Sequence, residues 1–354
     1  MQKTPLQFLS DHAGQLDDSG LWPTAQLAVI QKSGHLRRGI PESFGGLPVS
    51  SRELLEEYEQ LAAACLVTTF ILTQRMAACQ RLIASDNEPL KQRLLPGIAR
   101  GDLFTTVGIS HLTTSRQHLQ TPSVQAELIG DQVHLNGSIP WVTGAAEADV
   151  IVTGGTCDDG RQILVALRTD LEGVIVGPAA RLLALTASQT ATVQLTNVVL
   201  PISALLAGPM NNVIAQLSSG GTGSLTTSAL ALGVSQRVSR LIRDQAGHRP
   251  DLVDVSRRFD AELISLHHDL YHAAELRESV PERLTATAIR QRANSLALRI
   301  SQAALGISKG AGYVCGHPAE RAVREALFFL VWSCPQPVVQ GVLDELACRG
   351  GLGD

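Results

Sequence analysis

The sequence predicts an α+β multidomain protein with an N-terminal helical domain, a middle antiparallel β domain and a C-terminal helical bundle. Two shifts in residue pattern and the grouping of strand-like text in the middle carry that prediction. Up to about Asp102 the chain is rich in Leu, Ala, Gln, Glu and Arg, and its apolar residues recur at helical spacing. From Phe104 to about Pro209 short β-branched runs alternate with Gly, Asp and Asn. Helical periodicity then returns and lasts to the end. Because strands and helices do not alternate, a doubly wound parallel sheet is excluded.

In order, SRELLEEYEQLAAACLVTTFILTQRMAACQRLIAS is read as helix. IPESFGGLPVS interrupts the helical text before it, because Pro41, the Gly45-Gly46 pair and Pro48 forbid a continuous helix, and a turn is read around Asn87-Glu88-Pro89. VQAELIG, DQVHLNG, ADVIVTGG, RQILVAL, GVIVG and TATVQLTNVVL are read as strands, with a hairpin turn at Gly130-Asp131. SSGGTGS (Ser218 to Ser224) breaks the chain before LALGVSQRVSRLIRDQ, FDAELISLHHDLYHAAEL and ATAIRQRANSLALRISQAALGI, which are amphipathic at helical period. The expected domains are 1–103, 104–212 and 213–354.

Composition limits function. The 354 residues carry 29 basic and 33 acidic side chains, a net charge of −4, and show no basic stripe, which argues against a nucleic-acid partner. The longest apolar run, LFFLVW at Leu327 to Trp332, is far shorter than the roughly 20 residues of a membrane span and reads as core. Six scattered cysteines without a CxxC pair, and an amino terminus without an apolar stretch of signal-peptide length, read as a cytoplasmic protein with reduced thiols and no bound metal.

Four ordered segments resemble the acyl-CoA dehydrogenase superfamily of flavoproteins. IPESFGGLPVS is similar to that family's IPEEYGGLGLS, LPGIARGDL (Leu95 to Leu103) to its approach to the β domain, and GAGYVCGHPAERAVREA (Gly310 to Ala326) to its GGYGY…P-x-x-R-x-x-RDA segment. AELIGDQVHLNGSIPWVTGAAEADVIV (Ala126 to Val152) resembles the segment containing the family's W-I-T motif without a gap. The resemblance implies the same three-part order, FAD (alternatively FMN) as cofactor, and a homodimer or homotetramer associating through the C-terminal bundle. It also implies a small-molecule substrate such as an acyl thioester, and a flavin reductase or electron-transfer partner.

Residue by residue, the resemblance places Trp141 along the flavin ring, Val142 beside it and Thr143 as hydrogen-bond donor near the ring's reactive nitrogen. An indole can cover a planar π system, and a hydroxyl can stabilise the reduced ring. Outside that motif Trp141 reads as a large residue closing an edge of the sheet. The loop TTVGISHLTTSRQ (Thr105 to Gln117) stands where the family contacts the flavin pyrimidine, so Val107, Ile109 and Ser110 are candidate cofactor contacts. His111 replaces an acidic residue there and is a candidate base or orienting group, or else a structural histidine. Arg249, or Arg243, stands nearest the family's pyrophosphate-binding arginine, or belongs to a solvated helix end.

The departure that bears most on chemistry is Ser333. Counting on from Arg321 to Ala326, the family's glutamate base falls on Ser333, in VWSCP. A serine without an activating partner is too weak to remove a thioester α-proton. The other family position for that base, within Gly221 to Gly233, holds no acidic residue. Cys334 is either a reactive thiol or an inert helix-end cysteine. Three readings follow: an acyl-CoA dehydrogenase-like oxidoreductase for which classical α,β-dehydrogenation lacks its base, a flavin-dependent monooxygenase of the same fold, and a non-catalytic homologue.

Overall fold

The computed structural model describes residues 3–113, 121–216, 223–276, 280–332 and 335–347. Five helices open the chain: α1 (Pro5–Ser19), α2 (Thr24–Lys32), α3 (Ser51–Ala64), α4 (Leu66–Ala84) and α5 (Glu88–Arg100). Their starts are written in the sequence. Thr4 and Ser50 each close a capping box, with Gln7 and Glu53 as the reciprocal partners, and the Asn87 side chain caps α5. Helix α4 is buried nearly all round, from Leu66 to Leu82, as a helix apolar on every face must be.

Strands follow: β1 (Thr105–Gly108), then a short helix α6 (Ser110–Thr113), β2 (Val124–Ile129), β3 (Gln132–Val142), β4 (Val150–Thr156), β5 (Gln162–Arg168), β6 (Val174–Val176), β7 (Ala191–Pro201) and β8 (Leu205–Met210). They form one sheet in the order β6-β7-β3-β2-β4-β5-β8, with β1 added beside β4. The expected hairpin is present, β2 and β3 pairing up to Ile129 and Gln132 around Gly130, whose φ is 60°. The sheet is mixed where the sequence predicts an antiparallel one. β1 runs parallel to β4 from Thr105↔Val150 to Gly108↔Thr153, and β2 meets β4 in parallel at Gln125↔Thr156. No tight turn joins β1 to β4, so nothing local forces the antiparallel direction, and residue pattern does not record it.

The C-terminal helices are α7 (Val213–Gln216), α8 (Gly223–Ala246), α9 (Val253–Glu275), α10 (Ala286–Gly312), α11 (Pro318–Val331) and α12 (Gln336–Leu346). Of SSGGTGS, residues 218–222 lie outside the described residues. Two cores result. One lies within the sheet, with Val133, Leu135, Ile139, Ile151, Ile163 and Val193 at its centre. The larger joins the N-terminal helices, the C-terminal helices and the Val107, Val152 and Leu164 side of the sheet. Helix α3 packs so closely on α8 that a Cβ on Gly233 would come within 2.2 Å of the Glu59 carbonyl oxygen. In LFFLVW, Phe329 is fully buried as expected, whereas Val331 is 79% exposed because it ends α11 on the outer side. No helix among the described residues is long and apolar enough to cross a membrane, and none of their His, Cys, Asp or Glu side chains forms a group of three able to hold a metal ion.

Candidate functional site

The ends of β1 and β3 meet. Gly108 makes this possible, since a Cβ there would lie 2.8 Å from Ile139 and 3.0 Å from Val142. Just beyond, the Ser110 hydroxyl donates to the Pro140 carbonyl at 3.4 Å. Val107, Ile109, Ser110, Trp141, Val142 and Thr143 are thereby gathered at one end of the sheet. Val107 and Val142 are buried, the latter completely, so they offer main-chain groups rather than side chains.

Trp141 is set apart by its backbone. β3 pairs with β7 at Ile139↔Val193 and again at Val142↔Ala191, so β3 carries one extra residue over that stretch. Such a bulge re-aims a side chain. Trp141 sits in it with φ 58° and its residue 52% exposed. A bulky residue in the left-handed region costs on the order of 1–3 kcal/mol, and such strain concentrates at functional sites.

Next to it lies a group of hydroxyls that the sequence reading did not select. Thr143 is 1% exposed, and its Oγ1 is 3.3 Å from that of Thr190, which is 2.8 Å from the Ser188 Oγ. The Gly144 N–H donates to the Ser188 carbonyl at 2.9 Å. Trp22 and Phe104, in edge contact at 5.3 Å, press on Gly144, where a Cβ would come within 2.7 Å of the Trp22 ring. The available signal was Ser188 and Thr190 at alternate positions just before a strand.

The remaining candidates are dispersed. His111 Nε2 lies 3.0 Å from the Gly154 carbonyl, so that nitrogen carries a proton and ties α6 to β4. Arg249 donates to the Ile307 carbonyl at 3.1 Å and pairs with Asp251 at 3.0 Å, and Arg243 pairs with Asp260 at 3.0 Å. Ser333 and Cys334 lie outside the described residues. Trp332, just before them, stacks on Phe328 and meets Phe70 edge-on with ring centres 4.5 Å apart. Two buried carboxylates flank α8. Glu59 accepts from Tyr271, Gln236 and, at 3.1 Å, His267, and Glu325 is paired with Arg237.

These residues fit the ring half of a flavin: an exposed indole, a buried hydroxyl beside it, and strand-end main chain with a serine. The two arginines nearest the family's phosphate contact are already held by Asp251 and Asp260.

Residues 6–102 match the acyl-CoA dehydrogenase N-terminal domain model. A probable acyl-CoA dehydrogenase of Mycobacterium tuberculosis is 22% identical over 360 residues, covering 96% of this chain and 92% of its own. The short-chain specific acyl-CoA dehydrogenase of Clostridium acetobutylicum is 22% identical over 330 residues, 89% and 87% of the two chains. Among solved structures, butyryl-CoA dehydrogenase from Megasphaera elsdenii superposes with a TM-score of 0.84 at 17% identity, covering 96% and 95% of the two chains. A glutaryl-CoA dehydrogenase from Mycobacterium smegmatis in complex with FADH2 gives 0.83 at 18%, over 99% and 94%. FMN-bound TdsC from Paenibacillus gives 0.82 at 18%, over 98% and 95%. The chain thus has the acyl-CoA dehydrogenase fold throughout, and its residues 6–102 match that family's N-terminal domain.

Proposed function

We propose that the protein is a flavin-dependent oxidoreductase holding FAD, or alternatively FMN, at the end of β3, and that its reaction does not begin with removal of a thioester α-proton. The observation that carries the site is the bulged, left-handed Trp141 displaying its indole beside the buried Thr143 hydroxyl. FADH2 and FMN in structures of this fold support the choice of cofactor. When bound, the flavin supplies two-electron redox chemistry. Trp141 would cover one face of the ring and keep water from it. Thr143 would hold a hydroxyl proton toward the ring's reactive edge, and the main chain at Val107, Ile109 and Val142, with the Ser110 hydroxyl, would orient the pyrimidine side.

Neither sequence position of the family's base holds a carboxylate, and the buried carboxylates beside α8 are occupied by donors. This favours a monooxygenase of the same fold, whose chemistry needs no α-proton abstraction, over an acyl-CoA dehydrogenase. The visible spectrum of the purified protein, recorded before and after acyl-CoAs of several chain lengths, tests both parts. A flavin spectrum that acyl-CoAs leave unbleached is expected, and rapid bleaching by any of them overturns the second part. Ser333→Glu restores some bleaching if the cavity admits an acyl thioester.

A further inference from the structure

We infer that Thr190, with Ser188 behind it, is a positioning residue that fixes the direction of the Thr143 hydroxyl toward the flavin edge; this rests on the site proposed above. The three hydroxyl groups form a line, Ser188 to Thr190 at 2.8 Å and Thr190 to Thr143 at 3.3 Å, and the three residues are 0%, 4% and 1% exposed. Two hydrogen bonds consume two of the three hydroxyl protons. The third proton points out of the line from whichever of the three hydroxyls meets an acceptor. An acceptor beyond Thr143, such as a ring nitrogen, polarises the whole line: Ser188 donates to Thr190, Thr190 donates to Thr143, and Thr143 donates outward. Without Thr190, the Thr143 hydroxyl is free to rotate, and part of its population points its proton away from the ring.

The backbone around the line is held under strain. Leu185 and Gln189, flanking Ser188, have φ of 63° and 46°, and Trp141, two residues before Thr143, has φ of 58°. Three left-handed non-glycine residues therefore surround one buried hydroxyl line. External contacts pin the loop: the Gln189 amide donates to the Gly20 carbonyl at 2.6 Å, and the Ala180 N–H donates to the Thr190 carbonyl at 2.8 Å. A segment that served only to connect two strands would have no need of both the strain and the clamp.

The test uses the full chain stripped of flavin and titrated with FAD and with FMN, binding being followed by quenching of flavin fluorescence and the visible absorption band of the complex being recorded. Thr190→Val removes the hydroxyl at nearly the same shape, and Thr190→Ser keeps it. Thr190→Val is expected to bind about five- to tenfold more weakly, the size of one hydrogen bond lost, and to shift the absorption band. Thr190→Ser is expected to restore both, and Ser188→Ala to fall between. Thermal unfolding of each stripped variant identifies any that fails to fold, and where Thr190→Val does, Ser188→Ala is read in its place, an unchanged affinity and spectrum in it overturning the proposal. Unchanged affinity and spectrum in a folded Thr190→Val, or equal loss in the Val and Ser variants, overturns the proposal. Trp141→Ala separates the two readings: if it leaves flavin binding intact, the site itself is misplaced, and the hydroxyl line falls with it.

Discussion

Trp141 shows most directly what strain at one position is for. Its indole is half out of the protein, so truncation to alanine removes little packing from the fold. Trp141→Ala is expected to lose flavin on gel filtration, since an aromatic face against a ring contributes on the order of 1 kcal/mol beyond its area, while the melting temperature of the stripped protein moves little. His111 poses the opposite case. Its Nε2 is committed to the Gly154 carbonyl, so His111→Gln, which keeps a donor there, is expected to retain stability and flavin, whereas His111→Ala loosens the loop. Activity lost in the Gln variant without loss of flavin would assign the imidazole a proton-transfer role instead.

At the scale of elements, α3 carries the pH dependence. Its Glu59 is buried against α8 and α9, and the hydrogen bond from His267 raises that imidazole above its ordinary 6.5. A raised folded value means that the stabilising share is complete below pH 6.5 and is lost as pH rises through the folded value. His267 is partly exposed, so the share is about 0.5 kcal/mol after screening. His267→Asn is expected to flatten the decline in melting temperature as pH rises above the ordinary imidazole value of 6.5. Burial likewise pushes Glu57 up to about 7 against the pull of Arg38, so keeping that carboxylate charged costs stability above that value. Little of this was legible in SRELLEEYEQ, because Glu57 and Glu59 look there like surface charges of an amphipathic helix. Helices and strands were legible because capping residues and alternating patterns act within a few positions. The strand direction of β1, the partners of Glu59 and the hydroxyl line through Thr190 were not, because they depend on residues distant in sequence.

On the scale of the whole molecule, the last third carries exposed apolar side chains that a subunit interface would cover. Tyr313, Val314, Val331, Leu343 and Leu346 are each more than half exposed. A homodimer or homotetramer is therefore expected by light scattering at micromolar concentration, and Leu343→Glu with Leu346→Glu is expected to shift the mass toward the monomer. A monomeric wild type would contradict this.

The contact of α3 with α8, and the ion pair of Asp17 on α1 with Arg324 on α11, also set the order of events during synthesis. Roughly 260 residues separate Ala64 from Arg324, which a ribosome adding about 5–20 residues per second makes in on the order of 13–50 s. For that interval Asp17 lacks Arg324, and for the earlier part of it, until α8 is made, the face of α3 that packs on α8 is uncovered. The first 103 residues expressed alone are accordingly expected in the insoluble fraction, although a family model recognises most of them as a domain. Translational pausing before Arg324 should lower the yield of native protein more than the same pause placed after it.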